Sequence, residues 1–489
     1  MAFFLYKKNK LLYSKLFWVS FLYFSEGLPL GIFYDIFPVF FRQSDVPLNQ
    51  IGILSLFGIS WSLKFLWAPL IDFTRRHRFW MATADIFMGL VMIFFAKQIG
   101  LGLWSWVAIS FFTIFSATKD IAIDGYTIEK LNKNELGIAN GFRIAFYRVG
   151  MLASGVLLII SDQSGWSITF LYTGFIFFIL SLLSLLVPKE DEVKRKKPKL
   201  KNEFYQIFKN PIIFFALIIF LFGLIWPLID SFNFSFIIFL KKYWFYKFIP
   251  IILILISAFL FSIKFRYKNK VNEMDNDGPI FGVFISLLKS KNIIYLICFI
   301  LLFKLADSSM GFMIKPFWVD SGFTNAQIGL VSVNLGLILS ILGGLVGGWY
   351  TDRVGIFKAL WILGLFQALS NLGYVFAAYI IPETNQISEI EFSHQLIMYS
   401  ASAIESFTGG LGTAAFLAFL MSIVSKSRAT TEYAILSSIF AFSRSIAGWF
   451  GGIGAQELGY TYYFLFTFFL AFPAYILLPK IKEVINQKK

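Results

Sequence analysis

The sequence predicts an all-α polytopic membrane protein of fourteen spans, two similar six-helix halves with a two-helix hairpin inserted between them. Three observations predict it. Of 489 residues, 58% are apolar and only 15% are charged, whereas a soluble chain is about half apolar and a quarter charged. The apolar residues fall in runs, such as Ile212 to Leu221 and Ile249 to Phe261, that recur at the roughly 20-residue length of a membrane helix. Lysine and arginine collect in alternate connections between these runs, and the early part of the chain is echoed in the late part.

Taken in order, the candidate spans run 16–41, 51–72, 79–97, 101–130, 137–161, 166–188, 211–232, 246–265, 292–317, 325–351, 355–381, 394–425, 430–455 and 459–479. The first is longer than the roughly 7–15-residue core of a signal peptide, and no small-residue cleavage site follows it. It also contains Glu26, Gly27 and Pro29, so it reads as a span that is retained. Basic residues stand before it (Lys7, Lys8, Lys10, Lys15) and in the even connections: Arg75, Arg76 and Arg78; Lys194 to Lys201; Lys264 to Lys270; Arg353 and Lys358; Lys426 and Arg428. The eleventh connection instead holds Glu383, Glu389 and Glu391. Cytoplasmic connections are the basic ones, so both termini of this multi-pass chain are expected in the cytoplasm. Lys241, Lys242 and Lys247 break the pattern, but merging 211–265 into one span would put all later arginines outside. The expected domains are an N-terminal bundle (1–188), a basic cytoplasmic linker (189–210), an inserted hairpin (211–270) and a C-terminal bundle (271–489). The hairpin is almost pure Phe, Ile and Leu and is expected to face lipid.

The net charge of +15 does not point to nucleic acid, because its lysines and arginines lie in short connections beside the bilayer. Cys298 is alone, and the only histidines are His77 and His394. No nucleophile–histidine pair or Cys/His metal motif follows from them, so neither an enzyme nor a metal or organic cofactor is expected. The expected partners are the lipid bilayer and a small solute, with the chain acting as a monomer.

The repeat is specific. Asn49-Gln50-Ile51-Gly52-Ile53 opens span two, and Ala326-Gln327-Ile328-Gly329-Leu330 opens span ten. Before them stand Pro38-Val39-Phe40-Phe41 and Pro316-Phe317-Trp318. Span two ends in Asp72, Arg75 and Arg76; span ten ends in Gly348-Trp349-Tyr350-Thr351-Asp352-Arg353-Val354-Gly355. Two similar halves in parallel topology are a transporter signature. The run from Gly348 resembles the loop motif of the major facilitator superfamily, which implies 6 + 6 core helices and a gating role for Asp72, Gly348, Asp352, Arg353 and Gly355. The first copy departs from the motif at Ala68 and Phe73.

Further segments resemble the AmpG-type muropeptide permeases of that superfamily. They are Glu26-Gly27-Leu28-Pro29; Lys64-Phe65-Leu66-Trp67-Ala68-Pro69-Leu70-Ile71-Asp72; Asp120-Ile121 with Asp124; Tyr147-Arg148-Val149-Gly150; Lys304-Leu305-Ala306-Asp307; and Glu405-Ser406-Phe407-Thr408-Gly409-Gly410-Leu411-Gly412, with Arg444 and Ala447-Gly448-Trp449 beyond. The resemblance implies import of anhydromuropeptides, cell-wall turnover products, across the bacterial inner membrane from periplasm to cytoplasm, driven by the proton gradient. The first-half segments are also similar to acetyl-CoA transporters, so an anionic solute carrier is the alternative. Lys119 and Glu432 replace residues that are commonly glutamine in the family.

Ionisable residues deep in a span are costly and mark a partner or a watery path. Glu26, Lys64, Arg148, Lys304, Asp307, Glu405 and Arg444 fall near mid-span, with Asp120 and Asp124 in the inner half of span four. The acids lie on spans 1, 4, 9 and 12, the helices that line the central cavity in the superfamily. These residues and Tyr147 form the expected substrate and proton pathway, with Tyr34 and Trp61 as aromatic surfaces for sugar. Asp124 and Glu26 lead as coupling acids. Glu26 is expected to pair with Arg148, and Asp307 with Arg444.

Overall fold

A chain in hydrocarbon must satisfy its backbone internally, and the described spans do so as helices. The structure, a computed structural model, describes residues 15–188 and 293–488 except 65–66, 75, 98–101, 131–135, 385–389 and 425–428, together with scattered positions between 215 and 260. The expected linker, and all but those positions of the expected hairpin, lie outside the described residues.

Span one is α1 (Lys15–Gly31), a wide π turn (Ile32–Ile36) and α2 (Phe37–Gln43). Span two is α3 (Leu48–Phe57), α4 (Ile59–Leu63) and α5 (Ala68–Thr74). Spans three and four are α6 (His77–Lys97) and α7 (Leu103–Lys130), and α8 (Leu136–Leu186) carries spans five and six. In the second half, α9 (Ile293–Phe303) and α10 (Leu305–Asp320) make span nine. Span ten is α11 (Asn325–Gln327), a π segment (Ile328–Leu335) and α12 (Gly336–Val354). Then come α13 (Ile356–Ile380), α14 (Phe392–Ser422), α15 (Ala429–Leu470) and α16 (Pro473–Lys488).

Among the described residues nine helices are long and apolar enough to cross a bilayer. Two of them are double. The backbone of α8 breaks at Gly165 (φ 78°, ψ 166°) and that of α15 at Gly459 (φ 71°, ψ 163°). A side chain would be strained there, so glycine sets both turns. Divided at these glycines the nine make eleven, and the broken span two, whose Leu48–Leu63 helix is shorter, makes the twelfth, six in each half as the repeat predicts. Outward-facing apolar side chains, such as Leu186 (67% exposed) and Leu345 (68%), suit a lipid surround.

Among the described residues the halves share a large core at one end, continued by a small cluster of Leu56 and Ile59 with Phe442, Ile446 and Trp449. There, one apolar cluster joins Phe37, Phe41 and Ile51 of the first half to Phe312, Phe317 and Trp318 of the second. At the other end the cores are separate: Trp18, Tyr23, Met81 and Tyr126 belong to the first half, and Phe299, Phe416, Phe419 and Leu478 to the second. Two glycine contacts define the shared end. A Cβ on Gly52 would stand 2.8 Å from the Cα of Gly452, and one on Gly329 would strike the carbonyl of Gly155. Backbones approach this closely in membranes only where residues are small.

Candidate substrate and proton pathway

Asp120 and Asp124 lie four residues apart on α7 and so share a face. Helix α1 brings Glu26 against them, and carboxylate oxygens of all three lie within 4.8 Å of one another. Two cations hold the trio. Lys64, at the end of α4, is ion-paired with Asp120 and stands 3.7 Å from Asp124. Arg143 of α8 pairs with Asp124 at 3.1 Å. The Tyr23 hydroxyl donates to Asp124 at 3.0 Å, and its ring lies 5.0 Å from the Arg143 guanidinium. Glu26 is only 5% exposed, and its Oε2 has no hydrogen-bond partner among the described residues. With every group charged, three acids face two cations, an excess of one negative charge that one proton cancels. The trio is the kind of cluster that holds a metal ion elsewhere, but here Lys64 and Arg143 already supply the positive charge.

Neither expected mid-span ion pair forms. Glu26 faces the two aspartates rather than Arg148, whose Nη1 is buried without a hydrogen-bond partner. The reason is helix phase. Arg143 and Tyr147 are four apart and face Glu26's side of α8, whereas Arg148 is rotated by about 100° from Tyr147. Arg148 lies seven residues before Gly155, which touches Gly329, so it shares the face that meets the second half. Asp307 pairs instead with Lys304 at 3.0 Å, its neighbour one turn away. Arg444 crosses between halves, its guanidinium 4.6 Å from the ring of Tyr34. Tyr34 in turn stacks on Trp61 with ring centroids 6.5 Å apart.

The second half carries its own acidic surface. A cavity of about 250 Å³ is lined by Asp35, Asp307, Glu405, Ser332, Ser340 and Thr413 among others. Gly409 lies beside both Glu405 and Asp307, since a Cβ there would stand 3.7 and 3.8 Å from their oxygens. Lys315 reaches across this region, 3.7 Å from Asp35 and donating to Ser332 at 2.6 Å. Ser154 donates to the other side of Asp35 at 2.9 Å.

A polar lock closes the shared end. Arg42 pairs with Asp320 at 2.5 Å, and Tyr460 donates to the same carboxylate at 2.6 Å. These two charges occupy equivalent places in the repeat, four residues after Pro38 and Pro316. Gln43, Ser161, Asp162 and Asn325 add hydrogen bonds of 2.8 to 3.0 Å across the halves. Glu383, in the connection after α13, has its carboxyl pushed above the ordinary value by partial burial and by Asp320, with Arg42 opposing. At the other end, Asp352 and Arg353 are exposed, and Arg353 lies over Trp349 of its own helix at 4.3 Å. Gly355 (φ 85°) ends α12, a Cβ on Gly348 would meet nothing, and the Asp72 side chain lies outside the described ones.

Arg143, Tyr23, Asp35, Lys315, Arg42 and Asp320 escape the sequence reading. Asp35 and Lys315 stand inside predicted spans, so the rule that flags buried charge reaches them too. The four-residue spacing to Tyr147 is the signal for Arg143.

Comparison with known proteins places this geometry. The family model of the Major Facilitator Superfamily matches residues 19–246. The anhydromuropeptide permease of Escherichia coli (strain K12) is 26% identical over 477 residues, covering 95% of this chain and 79% of the permease. A Rickettsia conorii protein named as transporter AmpG 4 is 24% identical over 485 residues, covering 96% of this chain and 97% of its own. The resemblance read from the motifs is borne out along nearly the whole chain. Among solved structures, the POT family transporter PepTSo superposes with a TM-score of 0.66 at 12% identity, covering 97% of this chain and 98% of that one. The nucleoside transporter NupG gives 0.61 at 11%, covering 96% and 99%. At such identities these structures speak to the fold, which is the major facilitator fold.

Proposed function

This chain is a membrane transporter with the major facilitator fold, similar along its length to AmpG-type permeases, and on that premise we propose that it imports anhydromuropeptides together with protons. One observation carries the coupling: the buried Glu26 oxygen left without a partner beside two aspartates that are already engaged. Asp120 is taken by Lys64, and Asp124 by Arg143 and Tyr23, so the free lone pair for a proton is on Glu26. Both termini are cytoplasmic in this reading. The end with the shared core then faces the periplasm, and the separated end opens to the cytoplasm.

The solute offers carboxylates, amides and sugar faces. Arg148, on the cleft face of α8, suits a carboxylate through its planar fork. The Tyr34–Trp61 stack beneath Arg444 suits a sugar face. The likeness along the whole chain to an anhydromuropeptide permease sets acetyl-CoA behind the muropeptide. Uptake of labelled anhydromuropeptide into right-side-out vesicles tests the reading. Accumulation should require an inward proton gradient and be lost in Glu26→Gln, while exchange of solute persists. Gradient-independent uptake would remove the coupling; uptake of acetyl-CoA in its place would remove the substrate.

A further inference from the structure

Helix α1 carries Pro29 in its interior. Proline has no N–H, so the carbonyl four residues earlier, that of Ser25, loses its helical partner. The structure supplies another donor from a different helix. Lys119 of α7 donates to the Ser25 carbonyl at 3.0 Å and to Asp85 of α6 at 2.6 Å. Ser184 of α8 lies 3.4 Å from the second oxygen of Asp85. Ser25, Asp85, Lys119 and Ser184 are all 0% exposed, so this network is enclosed within the first half.

Its place in the chain is what matters. Ser25 precedes Glu26, and Lys119 precedes Asp120. Helices α1 and α7 are therefore tied twice at one level. Lys119 grips the backbone from behind, and the Glu26 and Asp120 carboxylates meet in front. A buried ion pair is seldom needed for stability, since an apolar pair of similar volume often serves as well. A broken helix turn beside the one acid that must hold a fixed distance from two others gives the pair a use.

We propose that Lys119, charge-balanced by Asp85, is a positioning residue for Glu26: its ammonium stands in for the N–H that Pro29 lacks and fixes Glu26 against Asp120 and Asp124. The proposal rests on the reading of Glu26 as the proton carrier. Without the clamp, α1 bends at Pro29 and Glu26 draws away from its acidic neighbours.

The test is the pH profile of gradient-driven muropeptide uptake by the purified full chain in proteoliposomes, alongside its melting temperature. Lys119→Met/Asp85→Asn removes the donor and the buried charge together. Its uptake midpoint should move by about one pH unit to the acid side, since a carboxyl that has left like charges gives up its proton more readily. Lys119→Gln/Asp85→Asn keeps a donor without charge and should keep the wild-type midpoint. Adding Pro29→Ala to Lys119→Met/Asp85→Asn returns the missing N–H to Ser25, and should restore both folding and midpoint. An unmoved midpoint in a folded Lys119→Met/Asp85→Asn protein overturns the proposal, and so does a triple variant that stays shifted or unfolded. Glu26→Gln separates the two ideas. If it leaves the pH profile intact, the coupling reading fails; if it abolishes pH dependence while the clamp variant is unmoved, only the clamp fails.

Discussion

Arg143 and Arg148 lie five residues apart on α8 and have different work. Arg143 holds Asp124 at 3.1 Å, whereas Arg148 keeps a buried Nη1 without a protein partner. Arg143→Gln should therefore abolish accumulation against a gradient, read in vesicles as uptake that stops at equilibrium. Arg148→Gln should spare the maximal rate and raise the apparent KM about tenfold, the loss expected for one charged hydrogen bond to solute. A KM within twofold of wild type would take Arg148 out of solute binding. Depth in the membrane was legible in the sequence for both Glu26 and Arg148, but depth is not partnership. Two charges at one level meet only when their helices turn them toward each other, and that phase depends on how α1 and α8 cross. Lys304 and Asp307 were legible as a pair because both lie on one stretch of chain, three residues apart.

The helices are set by glycine as much as by apolar bulk. A Cβ on Gly343 would strike the Phe407 carbonyl, and one on Gly410 that of Ser340, so spans ten and twelve touch backbone to backbone. Gly343→Ala should push them apart and destabilise the second half by about 1–3 kcal/mol, the usual cost of an overpacked contact. The measurement is the detergent melting temperature, with Gly344→Ala as the control because its Cβ would meet nothing. The order of the described spans was legible because each needs its own apolar run. The one-residue turns at Gly165 and Gly459 were legible only as gaps between spans, since an isolated glycine does not announce a left-handed backbone. The π turn holding Tyr34 and Asp35 was not read from the sequence, although Pro38 just beyond it denies the Tyr34 carbonyl its ordinary helical donor.

At the scale of the molecule, the lock at the shared end is expected to hold that end closed. Asp320→Asn keeps the side chain's size and removes the charge that Arg42 and Tyr460 engage. A cysteine placed at Gln43 in a Cys298→Ser background should then react with an external thiol reagent about tenfold faster, the factor for a lost charged contact. No change in rate would mean that the apolar core alone keeps this end shut. The same assay carries a pH dependence. Glu383 is held above its ordinary value while this end is closed, so binding a proton there favours the closed form. Labelling should speed up as pH rises through the titration of Glu383, and Glu383→Gln should flatten that rise. The repeat puts Arg42 and Asp320 at equivalent places with opposite signs, but only the assembled halves show that the two meet. The Gly52–Gly452 and Gly155–Gly329 contacts bear on speed as well as on state. Interlocked side chains would have to be withdrawn from their sockets each time the halves rock. A pair of bare backbones has nothing to withdraw, so these contacts can slide as smooth bearings without unpacking a side chain. A methyl group at Gly329 would roughen one bearing, and it should slow both directions of the swing even where the resting population hardly moves.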